Sequence, residues 1–529
     1  MRHRRASAAL ITGATLLVIY WLTLAPGVTL WDSGEFLAAI RTLGISHPAG
    51  TALFVLVAKC WSFLFAPIIG FAKATNLFSA AATAGGCAIL AALFARWTED
   101  TAGSICAALV AGTMSTIWLS ATETEVYALA FLVGCVLLWT ADRAGATGDA
   151  RWALLSAYLC GLAWSLHLSA LVVLPAALLL VFSGRDGYLA LPLGRRRPDG
   201  RRAYLSAGRL ALTAIPIVLI GASCVVYLLI RARHDPAINQ GNPSTWSALW
   251  DVLTRDQYGP RSLWPRAAPL YLQIGNLLEY SDWQFALGLS SAPGPSLART
   301  SVTVLFAALG VFGSMAHRRI DRRSWRAWMT LLIVGSLGAI IYLNMKLGPS
   351  FGDGLIPAGA AHEARERDYF FYFAFAAWGA WAGFGVARLS RAVPNALKSV
   401  PLVLAVLPIA LNWKAVDRTQ REEDRAARND AVQVLAPLPP NAVLFSIGDN
   451  DSYPLWYLQQ VEGARRDVTV VTIPLLSAAW YRAELARRYG LLDRSASAEW
   501  LGTSAAMASI RAHAAAENRP VVNSPYLNR

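Results

Sequence analysis

Apolar runs of about 17 to 25 residues recur along most of this 529-residue chain, and a run of that length, coiled as a helix, matches a hydrocarbon core of about 30 Å. They lie at about 8–24, 51–70, 75–95, 103–120, 126–141, 152–183, 209–231, 301–316, 327–345, 369–387 and 399–412. Only 15% of residues are Asp, Glu, Lys or Arg, against roughly a quarter in a soluble protein, which excludes an ordinary soluble enzyme. The formal charge of +14 does not point to nucleic acid, because the arginines sit in short loops between apolar runs, where cytoplasmic retention accounts for them. The six cysteines all lie inside apolar stretches, without CxxC spacing or a nearby His, and read as small core residues.

Two basic loops orient the chain: 184–209 carries seven arginines and 317–326 carries five. Both are expected on the cytoplasmic side, as is the N-terminal MRHRR, whose following run lacks a cleavage site and reads as a retained first span. Parity then leaves two solutions. Either 51–70 stays on the outer face and 152–183 crosses twice, or 51–70 crosses and 152–183 crosses once. A single helix of 32 residues would be about 48 Å long, far beyond the core. The first solution also puts Arg96, Arg143 and Arg151 inside, and only Lys73 outside. The expected architecture is therefore an α-helical polytopic membrane protein of about eleven transmembrane helices plus a juxtamembrane helix, residues 1–412. Its outer loops are 25–74 and 232–300. Residues 413–529, with 27 charged residues in 117, follow as a small extracytoplasmic α/β domain in which strands at 442–447 and 468–473 alternate with helices.

An ionisable group beside lipid is costly, so its position is informative. Asp32 and Glu35 follow the first span at a spacing of three, which a helical turn places on one face. One could act as general base while the other positions a hydroxyl or ligates a cation; a helix cap with a solvated acid needs only the same residues. Glu123 and Glu125 lie between two spans on the same side, as do Glu363, Arg365, Glu366, Arg367 and Asp368. Arg365 and Arg367 match phosphate oxygens by their guanidinium forks, with local pairing to the adjacent acids as the plain alternative. His47, at the start of 51–70, reads as a neutral imidazole donating to a phosphate or sugar hydroxyl, or as a capping residue. His167, between two apolar runs, reads as substrate-facing or simply structural. Asp449 and Asp451 in a post-strand turn are weak candidates for a hard cation, since Asx turns use the same residues. No zinc set and no GxSxG turn is present.

Several strings taken together, WDSGEF, HPAG, TETEVYAL, SLHLSAL, NQGNPSTWSALWDVLTRDQYGP, EARERDYFF and GDNDSYPLWYLQQVEGARRDVTVV, resemble in this order the membrane glycosyltransferase family 117. The resemblance covers residues 31 to about 473. It implies a GT-C type fold and an inverting, O-mannosyltransferase-like transfer of a sugar from a polyprenyl-phosphate donor to a hydroxyl outside the cytoplasm. Asp32 would be the catalytic base with Glu35 its partner; His47, Glu125, His167, Arg365 and Arg367 would bind substrate. The 232–300 loop would shape the acceptor cleft, and the acceptor would be a protein, glycan or lipid. A divalent cation is the only cofactor left open. The expected location is a bacterial inner or plasma membrane, N-terminus cytoplasmic and C-terminus outside. HPAG has Ala49 where the family favours Pro, and Leu166 stands where Asn often precedes His. A transporter or lipid flippase, whose polar sites gather at the membrane midplane, is the alternative from another class. A membrane-anchored binding protein is the third.

Overall fold

The computed structural model describes residues 2–183, 194–196, 202–204, 207–259, 262–290, 292–352, 356, 360–493 and 499–528. The arginine-rich 184–209 segment lies largely outside the described residues. The chain opens with α1 (Arg2–Leu22), α2 (Ser33–Thr42), α3 (Ala52–Ile69), α4 (Phe71–Thr98), α5 (Thr101–Gly112), α6 (Ser115–Ala121), α7 (Val126–Thr147), α8 (Ala150–Leu166) and α9 (Leu174–Phe182). After a short hairpin, β1 (Gly194–Arg196) with β2 (Arg202–Tyr204), come α10 (Ala207–Ala222), α11 (Val226–Ala232), α12 (Trp246–Thr254), α13 (Leu270–Asp282), α14 (Leu297–Ile320), α15 (Arg322–Ile333), α16 (Ala339–Leu343), α17 (Tyr372–Ala392) and α18 (Ser399–Val416).

By length and composition, nine described helical stretches can cross a membrane, or ten if α5 and α6, bent by 73° at their junction, count as one. Contacts at the helix ends refine this. At one end, Asp142 of α7 holds Arg96 of α4 and Arg323 of α15, Arg323 also donates to the Ser183 carbonyl, and Arg391 of α17 pairs with Asp100. This is the basic end. At the other, Asn76 of α4 donates to the Ala25 and Gly27 carbonyls, Thr29 to Glu123, Thr116 to Asp368, and Arg418 to Glu123.

Helix α3 is long and apolar enough to cross a membrane, yet both its ends lie at this second end. It leaves the turn that holds His47, crosses the first turns of α4 with Phe54 and Trp61 both against Phe78, and its Trp61 indole donates to the Ala74 carbonyl. Its outward Phe63, Leu64 and Ile68 are exposed, as a helix lying within a single leaflet requires. The 152–183 stretch instead breaks at His167, the C-cap of α8. His167 sits against Tyr127 at the start of α7, whereas the Leu180 and Ser183 carbonyls bind Arg323 at the basic end. Two passages result. Sorted this way, α1, α4, α5 with α6, α7, α8, the 168–182 stretch ending in α9, α10 with α11, α14, α15 with α16, α17 and α18 each run from one end to the other. Helix α17 is the central one, its sequence apolar on all sides because 89% of its most apolar window is buried. Apolar residues such as Leu10, Leu219, Val304 and Val403 face outward, which only lipid makes favourable.

The C-terminal part begins after α18 with α19 (Glu422–Leu435), a polar helix. It continues with β3 (Val443–Ser446), α20 (Asp449–Tyr457), β4 (Thr469–Thr472), α21 (Ala479–Tyr489), α22 (Thr503–Ala516) and β5 (Val521–Asn523). The strands form one parallel sheet in the order β4–β3–β5. All four residues of β3 are buried, as expected of a central parallel strand covered on both faces. The third strand, β5, is three residues long and carries no strand-like run of its own.

The sheet domain docks on the membrane part through α20 against α2. The Trp31 backbone N–H donates to Asn450 Oδ1 at 2.6 Å, and Gly34 faces the backbone of α20 so closely that a Cβ there would stand 2.5 Å from the Tyr453 carbonyl oxygen. Only glycine fits without moving one helix. Gly34→Val is expected to cost about 1–3 kcal/mol through overpacking and to loosen this contact. Limited proteolysis between residues 416 and 449, with a lowered Tm, would register it; unchanged protection would contradict the packing described.

Candidate active site

Helix α2 begins where the outer loop turns back over the bundle. Asp32 occupies its N-cap position, but its side chain makes no capping bond and turns to Arg365, whose Nη2 donates to Oδ2 at 2.7 Å. Burial would raise the Asp32 carboxyl, but Arg365, with His47 and Arg367 further off, outweighs burial and holds it below the ordinary carboxylate value. Asp32 is therefore a carboxylate anion at neutral pH.

Arg365 is itself fixed by aromatic rings. Its guanidinium lies 4.6 Å from the Tyr369 ring centre and 5.3 Å from that of Trp31, and its Nε donates to the Tyr369 hydroxyl. Arg367 donates to the same hydroxyl and to Glu363. Of the neighbouring acids, Glu366 accepts from Tyr280 and the Ser350 N–H, and Asp368 from Thr116; both lock the loop.

Glu35 has a different place from the one its spacing suggests. It is fully buried beneath the cavity, where its carboxylate accepts from the His47 backbone N–H at 2.6 Å, faces His47 Nδ1 at 2.7 Å, and accepts from Gln240 Nε2. It positions His47 and ties the 232–300 loop to α2, and it does not line the cavity. His47 is correspondingly not neutral. Burial opposes its charge, yet Glu35 and Asp32 prevail and lift the imidazole to about 9.

Trp31, Asp32, His47, His167, Arg365, Arg367 and Asp449 share the wall of one cavity of about 530 Å³ with Tyr127, Tyr258, Tyr369 and Tyr453. Its cations, His47, Arg255, Arg365 and Arg367, outnumber its acids, Asp32, Glu363 and Asp449; burial and the nearby Asp32 raise the Asp449 carboxyl above its ordinary value. His167 caps the helical turn after it, Nδ1 facing the Ser169 hydroxyl and N–H, while its ring reaches the cavity. The 232–300 loop contributes Gln240, Arg255, Gln257 and Tyr258. Glu125 lies apart. It lines a second cavity of about 610 Å³ that shares Trp31, Tyr127, Arg365 and Tyr369 with the first, and burial, then repulsion from Asp32, pushes it up to about 8.

Donor atoms of Asp32, Glu35 and His47 all lie within 4.8 Å of one another, close enough for one cation. Asp32 Oδ2, both Glu35 oxygens and His47 Nδ1 are already matched by Arg365, Gln240 and each other, and a protonated imidazole is no ligand. The donor set therefore does not fit a resident metal as it stands. Asp449 and Asp451 do not converge either: Asp451 is spent on the Ile447 N–H and the Ser524 hydroxyl, which join the ends of β3 and β5. Trp31, Tyr127, Tyr369 and Gln240 were not singled out by the sequence; their only signal is that each stands inside or beside one of the resembling strings.

The bundle, the outer helix and the acid-arginine pair at one end define a multi-pass membrane protein of the GT-C fold. Over 89% of this chain and 90% of the other, it superposes on ArnT from Cupriavidus metallidurans bound to undecaprenyl phosphate, with a TM-score of 0.51 at 11% identity, and equally on the apo state. Residues 32–188 match the family model of the Protein O-mannosyl-transferase TMEM260 N-terminal domain and residues 427–493 that of TMEM260-associated domain 2. It is 25% identical over 495 residues to Protein O-mannosyl-transferase TMEM260 of Mus musculus, covering 90% of this chain and 63% of that protein. To the Dictyostelium discoideum protein of that name it is 20% identical over 515 residues, covering 88% and 57%. The chain thus spans less than two thirds of the length of these relatives.

Proposed function

We propose that the protein is a glycosyltransferase that moves a sugar, mannose by analogy with its relatives, from a polyprenyl-phosphate carrier to an acceptor hydroxyl, with a protein side chain as the favoured acceptor. The observation that carries this reading is the pairing of an ionised Asp32 with Arg365 in the wall of a cation-rich cavity at the end of the bundle. ArnT, which shares the fold, was crystallised with undecaprenyl phosphate, and the family relatives are named for O-mannosyl transfer. The site end would be extracytoplasmic, since Arg5, Arg96, Arg143 and Arg323 gather at the opposite end and basic residues stay inside. A transporter or flippase would be expected to place its polar groups at mid-membrane.

In this mechanism the donor phosphate enters among Arg365, Arg367 and His47 and draws the Arg365 guanidinium toward itself. Asp32 then loses its counter-ion and becomes a stronger base. The acceptor oxygen attacks the anomeric carbon while its proton passes to an Asp32 carboxylate oxygen. The bond from that carbon to the phosphate oxygen breaks with inversion, and the carrier leaves as the phosphate anion. Such a leaving group needs charge stabilisation more than a proton, which the two arginines and the His47 cation supply. Glu35 keeps His47 charged and oriented. No step uses a metal.

The pH dependence follows from His47. Its pKa is raised from the ordinary 6.5 to about 9, so the charge and the stability of its pair with Glu35 are fully present below 6.5 and lost as pH rises through about 9. Transfer is expected to fall about tenfold per pH unit above that point, and His47→Gln to lower the rate while removing this limb. An unchanged alkaline limb in the variant would reject the role. The proposal as a whole is tested by incubating the purified full-length protein with a panel of polyprenyl-phosphate sugars and Ser/Thr peptides, reading products by mass spectrometry. A glycosylated peptide with free polyprenyl phosphate is expected; transfer only from a nucleotide sugar would overturn it.

A further inference from the structure

At the basic end, opposite the Asp32 cavity, α1, α4, α7 and the turn between α14 and α15 enclose a cavity of about 880 Å³ lined by Arg5, Arg96, Arg143 and Arg323. Its acids are Asp142, Asp321 and Glu99. Asp142 is committed: one oxygen accepts from Arg323 at 2.6 Å and from the Trp97 indole at 3.1 Å, the other pairs with Arg96. Asp321 caps α15, accepting from the Arg323 N–H at 2.9 Å and the Ser324 hydroxyl at 2.8 Å. Glu99 is exposed and forms no ion pair among the described residues. Two arginines are thereby left over.

Arg143 lies with its guanidinium 5.4 Å from the Trp152 ring centre and its Nε buried without a hydrogen-bond partner; Arg96 and Arg5 bear on it as like charges, and Asp142, already shared by Arg96 and Arg323, offsets them only in part. Like charges held together beside a cavity are unfavourable unless an anion sits between them. The guanidinium forks would match the oxygens of a phosphate bidentately, and the cavity stands at the ends of the spans, where lipid phosphates lie. We propose that this cavity binds a phosphate group, that of an anionic phospholipid headgroup, between Arg5 and Arg143. This site is separate from the transfer chemistry and does not depend on it.

The test is native mass spectrometry of the full-length protein in detergent, titrated with phosphatidylglycerol, with phosphatidylcholine of the same chains, and with inorganic phosphate. Phosphatidylglycerol is expected to bind at least tenfold more tightly than phosphatidylcholine. The double variant Arg5→Gln with Arg143→Gln should weaken its binding by roughly tenfold or more, while Arg143→Lys retains most of it. Because the glutamine at 143 also removes the stacking on Trp152, the thermal melting of both variants is recorded, and the lysine variant carries the comparison if the glutamine one melts early. Competition by millimolar inorganic phosphate supports the site, and tighter binding of free phosphate than of lipid would assign it to soluble phosphate. Equal binding of the two lipids, or no loss in the double variant with a native melt, overturns the proposal.

Discussion

Asp32→Asn is expected to lower sugar transfer by about 10²–10⁴-fold, the range for losing a positioned general base. The side chain is nearly isosteric, and Asn can still accept a hydrogen bond from Arg365, so the fold and donor binding should survive. What disappears is the proton acceptor and the charge that Arg365 holds in place. A fall in kcat with little change in KM for the carrier is the signature of a group acting in the transition state. A variant that turns over at near the parent rate would remove Asp32 from the mechanism.

Arg365→Gln is expected to be almost as damaging, by about 10²–10³-fold, for a different reason. Arg365 sits between Trp31 and Tyr369 and pairs with Asp32, and in the proposed mechanism its loss removes stabilisation of the leaving anion. It also releases Asp32 from its counter-ion, and the pH at which that carboxylate titrates should rise. The variant is therefore expected to show a lowered rate together with an acid limb shifted to higher pH, which Asp32→Asn in the same background abolishes. A lowered rate with an unshifted limb would separate the two residues.

Much of this arrangement could be read from the residues, and the exceptions have physical causes. Helix α3 is about as long as a hydrocarbon core is thick, so hydropathy cannot distinguish it from a span; its contacts do, because Trp61 packs on Phe78 and donates to the Ala74 carbonyl in the first turns of α4. The length of 152–183 called for a break, and His167, with a Ser two residues on to bind its ring, is where the chain turns. Asp32 and Arg365 were both legible, one from its position after a span and one from its fork, but their pairing across 333 positions was not.

Spacing misled at Glu35. A separation of three places two acids on one face of a free helix, yet Asp32 is the cap and turns outward while Glu35 turns in beneath the 45–50 turn to hold His47. The same pairing explains why His47 is a cation and not the neutral donor its isolated setting suggested. Gly34 carries no sequence signal of its own, and the docked α20 shows why no side chain fits there. Asp451 resembles a ligand in sequence and proves to be a strand clasp, because the partner Ser524 lies 73 positions away.

The central claim is that the carrier phosphate comes to rest beside Asp32. A photoreactive polyprenyl-phosphate analogue, irradiated with the full-length protein in lipid nanodiscs and followed by peptide mapping, tests it most directly. The expected adducts fall on peptides containing residues 31–47 and 363–370, and excess unlabelled polyprenyl phosphate suppresses them. Adducts confined to the basic end, around residues 96–99 and 142–146, with none near Asp32 would contradict the account.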